Sequence, residues 1–231
     1  MYLSAYGGYA FLALTGLFFF VIGGWLPPHD PTWSAAELAT FYNDNHTRIQ
    51  IGVVGAFVSI CFYIPLYSMV SQIIEDHLKM PMLAKMQLNA AIMGGVFVWF
   101  MFLAWAIAMY RPERNPEITQ AFNDWGWMIA WWTVNCTQFQ VLAWGLAILL
   151  CKPENQVFDR WFGWFLVFAV FVEIVAWGIP LMKAGPFAYN GELTFWFMVP
   201  LYGSFVFLSA QQSVKALRTI DEKMKIARWS L

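Results

Sequence analysis

Residues 90–109 read AAIMGGVFVWFMFLAWAIAM, twenty consecutive positions without a charged side chain. A helix crossing a bilayer needs roughly 20 mostly apolar residues, because the hydrocarbon layer is about 30 Å thick and each helical residue rises about 1.5 Å. A membrane barrel strand would alternate apolar and polar side chains over about ten residues. This stretch does not alternate, so it predicts a spanning helix. Extended to 84–109, it is one of six segments of this kind; the others are 6–26, 49–74, 127–151, 161–182 and 193–217. The fold class that follows is an all-α integral membrane protein: one transmembrane domain, residues 1–231, of six helices in a bundle, with residues 218–231 as a cytosolic helical tail.

Composition points the same way. The chain is 60% hydrophobic and 12% charged, whereas an ordinary soluble domain is about a quarter charged. A formal net charge of −1 gives no basic field for a nucleic-acid partner. The partner expected throughout is the lipid bilayer. The first apolar run lacks a basic n-region and a small-residue cleavage site and is long enough to span, so it reads as a span and not as a removable leader. Cys61, Cys136 and Cys151 lie inside apolar runs and read as small buried apolar residues.

Orientation is read from lysine and arginine. With six spans, one side carries Lys79, Lys85, Lys152, Arg160, Lys215, Arg218, Lys223, Lys225 and Arg228, and the other only Arg48, Arg111, Arg114 and Lys183. The bias places both termini in the cytoplasm, with the chain in the cell inner (plasma) membrane. In the tail, Ile220, Met224 and Ala227 mark an apolar stripe. Lys223, Lys225 and Arg228 suit anionic headgroups or a partner.

The opposite side holds the longer loops. Ser34 with Glu37 forms a capping-box pattern, and Trp33 is placed to staple onto Leu38, so a short interfacial helix is expected to about Asn43. Thr47-Arg48-Ile49-Gln50 repeats that pattern ahead of the second span. Asn115-Pro116-Glu117 is a cap followed by proline at the first helical position, leading through Asp124 into the fourth span. Gly185-Pro186 and Asn190-Gly191 are turn signals. Trp25, Trp33, Trp125, Trp127, Trp161, Trp164 and Trp196 lie toward span ends, as an interfacial aromatic belt would. His29 and His46 are loop histidines without metal-site spacing.

The fourth span is polar on two faces. At about 100° per residue, Asn135 and Gln138 point one way and Thr133, Thr137 and Gln140 roughly the other. Neither face can meet lipid cheaply, so protein is expected on both sides. In the fifth span Glu173 lies at the depth of Gln138. An intramembrane carboxyl is a functional-site candidate because its burial is costly. Three roles are open to it: an interhelical hydrogen bond to Asn135 or Gln138, a ligand anchor, or proton or ion handling.

Many chemistries lack their residues. No span carries paired histidines for haem, and there is no H-E-x-x-H, His-rich cluster, mid-membrane lysine, P-loop or G-x-S-x-G. No cofactor, metal or catalytic residue is therefore assigned. The leading expectation is binding or transport of a small hydrophobic or amphipathic molecule in an aromatic-lined cavity among the third to sixth spans. Glu173, Asn135 and Gln138 would be its polar anchors, and Trp132, Phe139 and Trp177 its walls. The alternatives are a non-catalytic subunit or homo-oligomeric scaffold of a membrane complex, and an intramembrane isomerase or cyclase using Glu173 as acid or base.

Overall fold

The structure, a computed structural model, describes residues 1–229, without the side chains of Val134 and of residues 227–229; Ala227, Arg228 and the end of the 218–231 tail thus lie outside the described side chains. Among the described residues there is no strand. Six helices are long and apolar enough to cross a membrane, the signature of a multi-pass membrane protein: α1 (Tyr2–Ile22), α3 (His46–Asp76), α4 (Pro81–Tyr110), α5 (Pro116–Leu150), α6 (Arg160–Leu181) and α7 (Glu192–Ile226). A shorter helix, α2 (Ala35–Asp44), precedes α3.

The helix ends follow local chemistry. At α2, Glu37 N donates to Ser34 Oγ (3.3 Å) while Ser34 N donates to Glu37 Oε2 (2.8 Å), so the capping box forms as expected. Asn115 Oδ1 accepts from Glu117 N (3.0 Å) and Pro116 occupies the first turn of α5. Elsewhere the chain departs from expectation. α1 stops at Ile22 and not near residue 26, because Gly24 takes φ +74°, a conformation that ends a helix and suits glycine. Arg48 fills the space that a Gly24 side chain would need. Its Nε donates to Ile22 O (3.1 Å), capping the last turn of α1 with a cation. The second capping box, expected at Thr47, does not form. α3 starts two residues earlier, at His46, and its N-cap Asn45 makes no side-chain cap hydrogen bond. The fourth span begins at Pro116, eleven residues before the apolar run itself, because its first turns pack against α2. There Tyr42 Oη donates to Asn123 Oδ1 (3.0 Å) and Gln120 Nε2 to Trp33 O (3.0 Å).

α4 lies against α3 and α5, α5 against α6, and α1 against α3 and α7. Tyr2 Oη donates to Asp221 Oδ2 (2.8 Å), so the first residues sit beside the last turns of α7, at one end of the molecule. At that end Asp159 accepts from Lys215 Nζ (2.7 Å) and Gln212 Nε2 (3.0 Å), and Lys223 Nζ donates to Glu154 O (2.8 Å). Lys223 thus engages the α5–α6 loop. The tail stripe is uneven: Ile220 is buried, but Met224 is exposed. Of the cysteines only Cys151 is buried; Cys61 faces outward, as do many large apolar side chains such as Leu3, Val54 and Leu181.

Candidate functional site

Five of the six long helices lose regular α geometry at some point. α1 widens to a π-type turn over Gly16–Ile22. α3 tightens to a 3₁₀ turn at Ile60–Phe62. α5 breaks at Thr133, whose Oγ1 donates back to Ile129 O (2.6 Å). Such a back-bond bends a helix. α6 tightens to 3₁₀ geometry over Glu173–Leu181. α7 opens with a π-type turn over Glu192–Trp196 and carries Pro200 inside. Departures of this kind cluster at functional sites.

Four of the five, all but the α3 turn, border one cavity of about 260 Å³, to which α4 adds Gly94 and Met101. From α1 it takes Thr15, Gly16 and Phe19; from α5 Trp131, Thr133 and Thr137; from α6 Glu173; from α7 Phe195, Tyr202 and Gly203. Its walls are otherwise apolar and largely aromatic, and Glu173 is the one Asp, Glu, Lys, Arg or His among the described residues that line it. Gly16 and Gly203 leave open space where a side chain would stand, and Gly94 lets Tyr63 and Thr137 approach.

Glu173 is 7% exposed, and its Oε2 has no hydrogen-bond partner. Several polar side chains nearby are engaged elsewhere, whereas the buried indole N–H groups of Trp105, Trp127 and Trp131, on the same cavity wall, have no hydrogen-bond partner. Gln138 Nε2 donates to Val170 O (3.3 Å). The last α-type bond of α6 runs from Glu173 N to Ala169 O, so Val170 O is the first carbonyl past that register, and the side chain of Gln138 serves it. Tyr63 Oη donates to Gln140 Oε1 (2.8 Å), and Thr15 Oγ1 is hydrogen-bonded to Ser59 Oγ (2.7 Å), which itself donates to Ala56 O.

The structure brings only part of the expected set together. Glu173 lines the cavity; Gln138 is buried beside it but turned to the α6 backbone. Asn135 is exposed, as are Trp132, Phe139 and Trp177, and none of the four lines the cavity. The aromatic walls are instead Trp131, Trp127, Phe19, Phe102 and Phe195. The first span also contributes, which the sequence reading did not include. Thr133 and Thr137, expected on the face of α5 opposite Asn135 and Gln138, are the α5 polar residues that line the cavity. No comparable pattern marked α1, whose lining residues are a threonine, a glycine and phenylalanines within an apolar run.

A second cluster adjoins the first through Trp127. His29, expected on a loop, is 6% exposed, and both ring nitrogens lack partners. Trp25, Trp33, Phe41, Trp127 and Tyr189 surround it with ring centroids 5.6–5.8 Å away. Burial disfavours the imidazolium and pushes its pKa down to about 4. Trp127 stacks on Tyr189 at 4.8 Å and 3°. Trp25 and Trp127 are therefore interior residues and not belt residues, whereas Trp125, Trp161, Trp164 and Trp196 do face outward. Trp25 packs on Phe19, Trp105 and His29, and Trp127 on Trp105, Tyr189 and His29, which buries both rings. Compared with protein-family models, curated proteins and solved structures, the chain matches none.

Proposed function

We propose that this chain binds, and carries within the membrane, a small hydrophobic or amphipathic molecule held in the cavity between α1, α4, α5, α6 and α7. The observation that carries this reading is the pairing of a largely apolar space with one buried carboxyl whose Oε2 is unpartnered. Ligand sites combine apolar walls with few polar groups, and about 260 Å³ lies just under the roughly 300 Å³ at which drug-sized pockets begin, so the ligand is compact. The setting that fits is the inner (plasma) membrane, with both termini cytoplasmic on the lysine and arginine bias, the six helices in a bundle and α2 along the outer interface.

The test is a titration of the protein in lipid nanodiscs with 1-bromonaphthalene, whose bromine quenches indole fluorescence at Trp127 and Trp131. Saturable quenching that Gly203→Phe removes is expected. Quenching that rises without saturation and ignores the substitution is partition into lipid and overturns the reading.

A second reading, a homo-oligomeric scaffold, is favoured by Asn135 alone. Its carboxamide stands exposed within a span, where lipid offers it no partner, and a second copy would offer one. Cross-linking in the membrane of wild type and Asn135→Leu separates the readings: loss of a dimer in the variant supports the scaffold, and a monomer in both excludes it.

A further inference from the structure

We infer that the molecule held in this cavity is a hydrophobic amine, with its ammonium group on the Oε2 of Glu173 and its apolar body against the aromatic walls. The inference rests on the ligand-binding reading and adds the chemistry of the ligand's polar end.

A carboxylate taken out of water costs several kcal/mol unless it is paired and hydrogen-bonded. The described residues lining the cavity include no lysine, arginine or histidine to pair with Glu173. Gln138, Tyr63 and Thr133 donate elsewhere, to Val170 O, Gln140 and Ile129 O, and the unpartnered donors on the cavity wall, the indole N–H groups of Trp105, Trp127 and Trp131, carry no charge to balance a carboxylate. The protein therefore leaves one acceptor oxygen, 93% of its residue's surface covered, on the wall of the cavity with no cationic side chain beside it. An anionic head would add a like charge. A neutral head with only acceptors would suit a protonated carboxyl but would leave a carboxylate Oε2 without a donor. An ammonium offers both the charge and the N–H donors, and such charge-assisted bonds are about twice as strong as neutral ones.

The walls fit the same ligand. Tyr202, Phe195, Trp131 and Phe19 present rings to the space that Glu173 borders. Aromatic faces attract a cation, by about 2 kcal/mol or more where water is excluded. The 3₁₀ geometry that starts at Glu173 belongs to the same design, since the tighter turn begins at the residue that would hold the charge.

The experiment compares two near-isosteric probes, 2-(1-naphthyl)ethylamine and 2-(1-naphthyl)ethanol, by calorimetry on the full chain in phosphatidylcholine nanodiscs at neutral pH. The amine is expected to bind at least about tenfold more tightly than the alcohol, as a charge-assisted bond in place of a neutral one implies. Glu173→Gln is expected to weaken the amine by about the same factor and to leave the alcohol nearly unchanged. Equal affinities in the wild-type protein would overturn the amine assignment while leaving a hydrophobic site standing. Failure of both probes to bind, with 1-bromonaphthalene also unsaturable, would remove the site itself. Because the wild-type ratio is decisive alone, poor folding of Glu173→Gln does not blunt the test. Where that variant folds, an amine preference that survives it would place the ammonium elsewhere and sink the inference.

Discussion

The side-chain amide of Gln138 donates to the main-chain carbonyl of Val170 at 3.3 Å, three residues before α6 changes geometry at Glu173. A backbone carbonyl outside a regular helix finds no water in the bilayer and needs a partner from the protein. Gln138→Leu removes that partner. Destabilisation of about 1 kcal/mol is expected, the upper part of what interhelical hydrogen bonds contribute in membranes. A lower thermal midpoint in detergent, with weaker ligand binding, would show it. An unchanged midpoint would mean that α6 holds this geometry without α5.

Tyr63 and Gln140 form the second tie, between α3 and α5. Both are buried, and Gln140 Nε2 already lacks a partner. Tyr63→Phe would leave the whole carboxamide unsatisfied, at a cost of about 1–3 kcal/mol. Adding Gln140→Leu should recover most of that loss, since the penalty belongs to the stranded amide and not to the missing hydroxyl. Denaturant unfolding of the two variants checks the order. A double variant weaker than Tyr63→Phe would contradict it.

Two kinds of glycine substitution should behave oppositely. A Cβ at Gly126 would stand 2.4 Å from Nε1 of the buried Trp105, so Gly126→Ala overpacks the aromatic core and should destabilise by about 1–3 kcal/mol. A Cβ at Gly203 meets nothing within 4 Å, although Gly203 lines the cavity. Gly203→Leu should therefore keep the thermal midpoint and reduce ligand affinity by about tenfold or more by filling the space. Paired melting and binding curves distinguish the two effects.

His29 makes stability depend on acidity. Its ordinary pKa of 6.5 falls to about 4 in the folded chain through burial. The unfolded chain therefore takes up a proton at a pH where the folded chain does not. Stability is full above 6.5, declines as pH falls from 6.5 toward 4, and levels off below. The total is roughly 3 kcal/mol at about 1.36 kcal/mol per unit. His29→Phe keeps a ring inside the aromatic cage and should flatten this part of the profile. The thermal midpoint of both proteins between neutral and acidic pH provides the check, and parallel curves would exclude His29 as the titrating group.

Much of this molecule is legible residue by residue. The capping box at Ser34 and Glu37, the Asn115-Pro116 start of α5 and the six apolar runs all act through neighbours close in sequence, and all six runs are helical, although α1 ends earlier and α5 starts earlier than expected. The two-faced polarity of α5 was legible in part, since Asn135, expected on the covered face with Gln138, is exposed. Gln140 meets α3 on one side and Gln138 meets α6 on the other. The walls of the cavity were not. Trp131 lines it and Trp132 does not, although they are adjacent in sequence and equally aromatic.

Hydrophobicity over about 20 residues is a local sum, and it indicates membrane class and span number and marks the polar side chains that are costly to place in lipid. Which face of each helix meets which neighbour is decided by side chains distant in sequence and by breaks in helical register. The π-type turn at Gly16, the break at Thr133 and the 3₁₀ turn at Glu173 each rotate the residues beyond them. A rotation of about 100° per residue turns a wall into a lipid contact within one position. For that reason the sequence alone could single out Glu173 as a costly carboxyl, and only the tertiary structure could place it on a cavity with its oxygen unpaired.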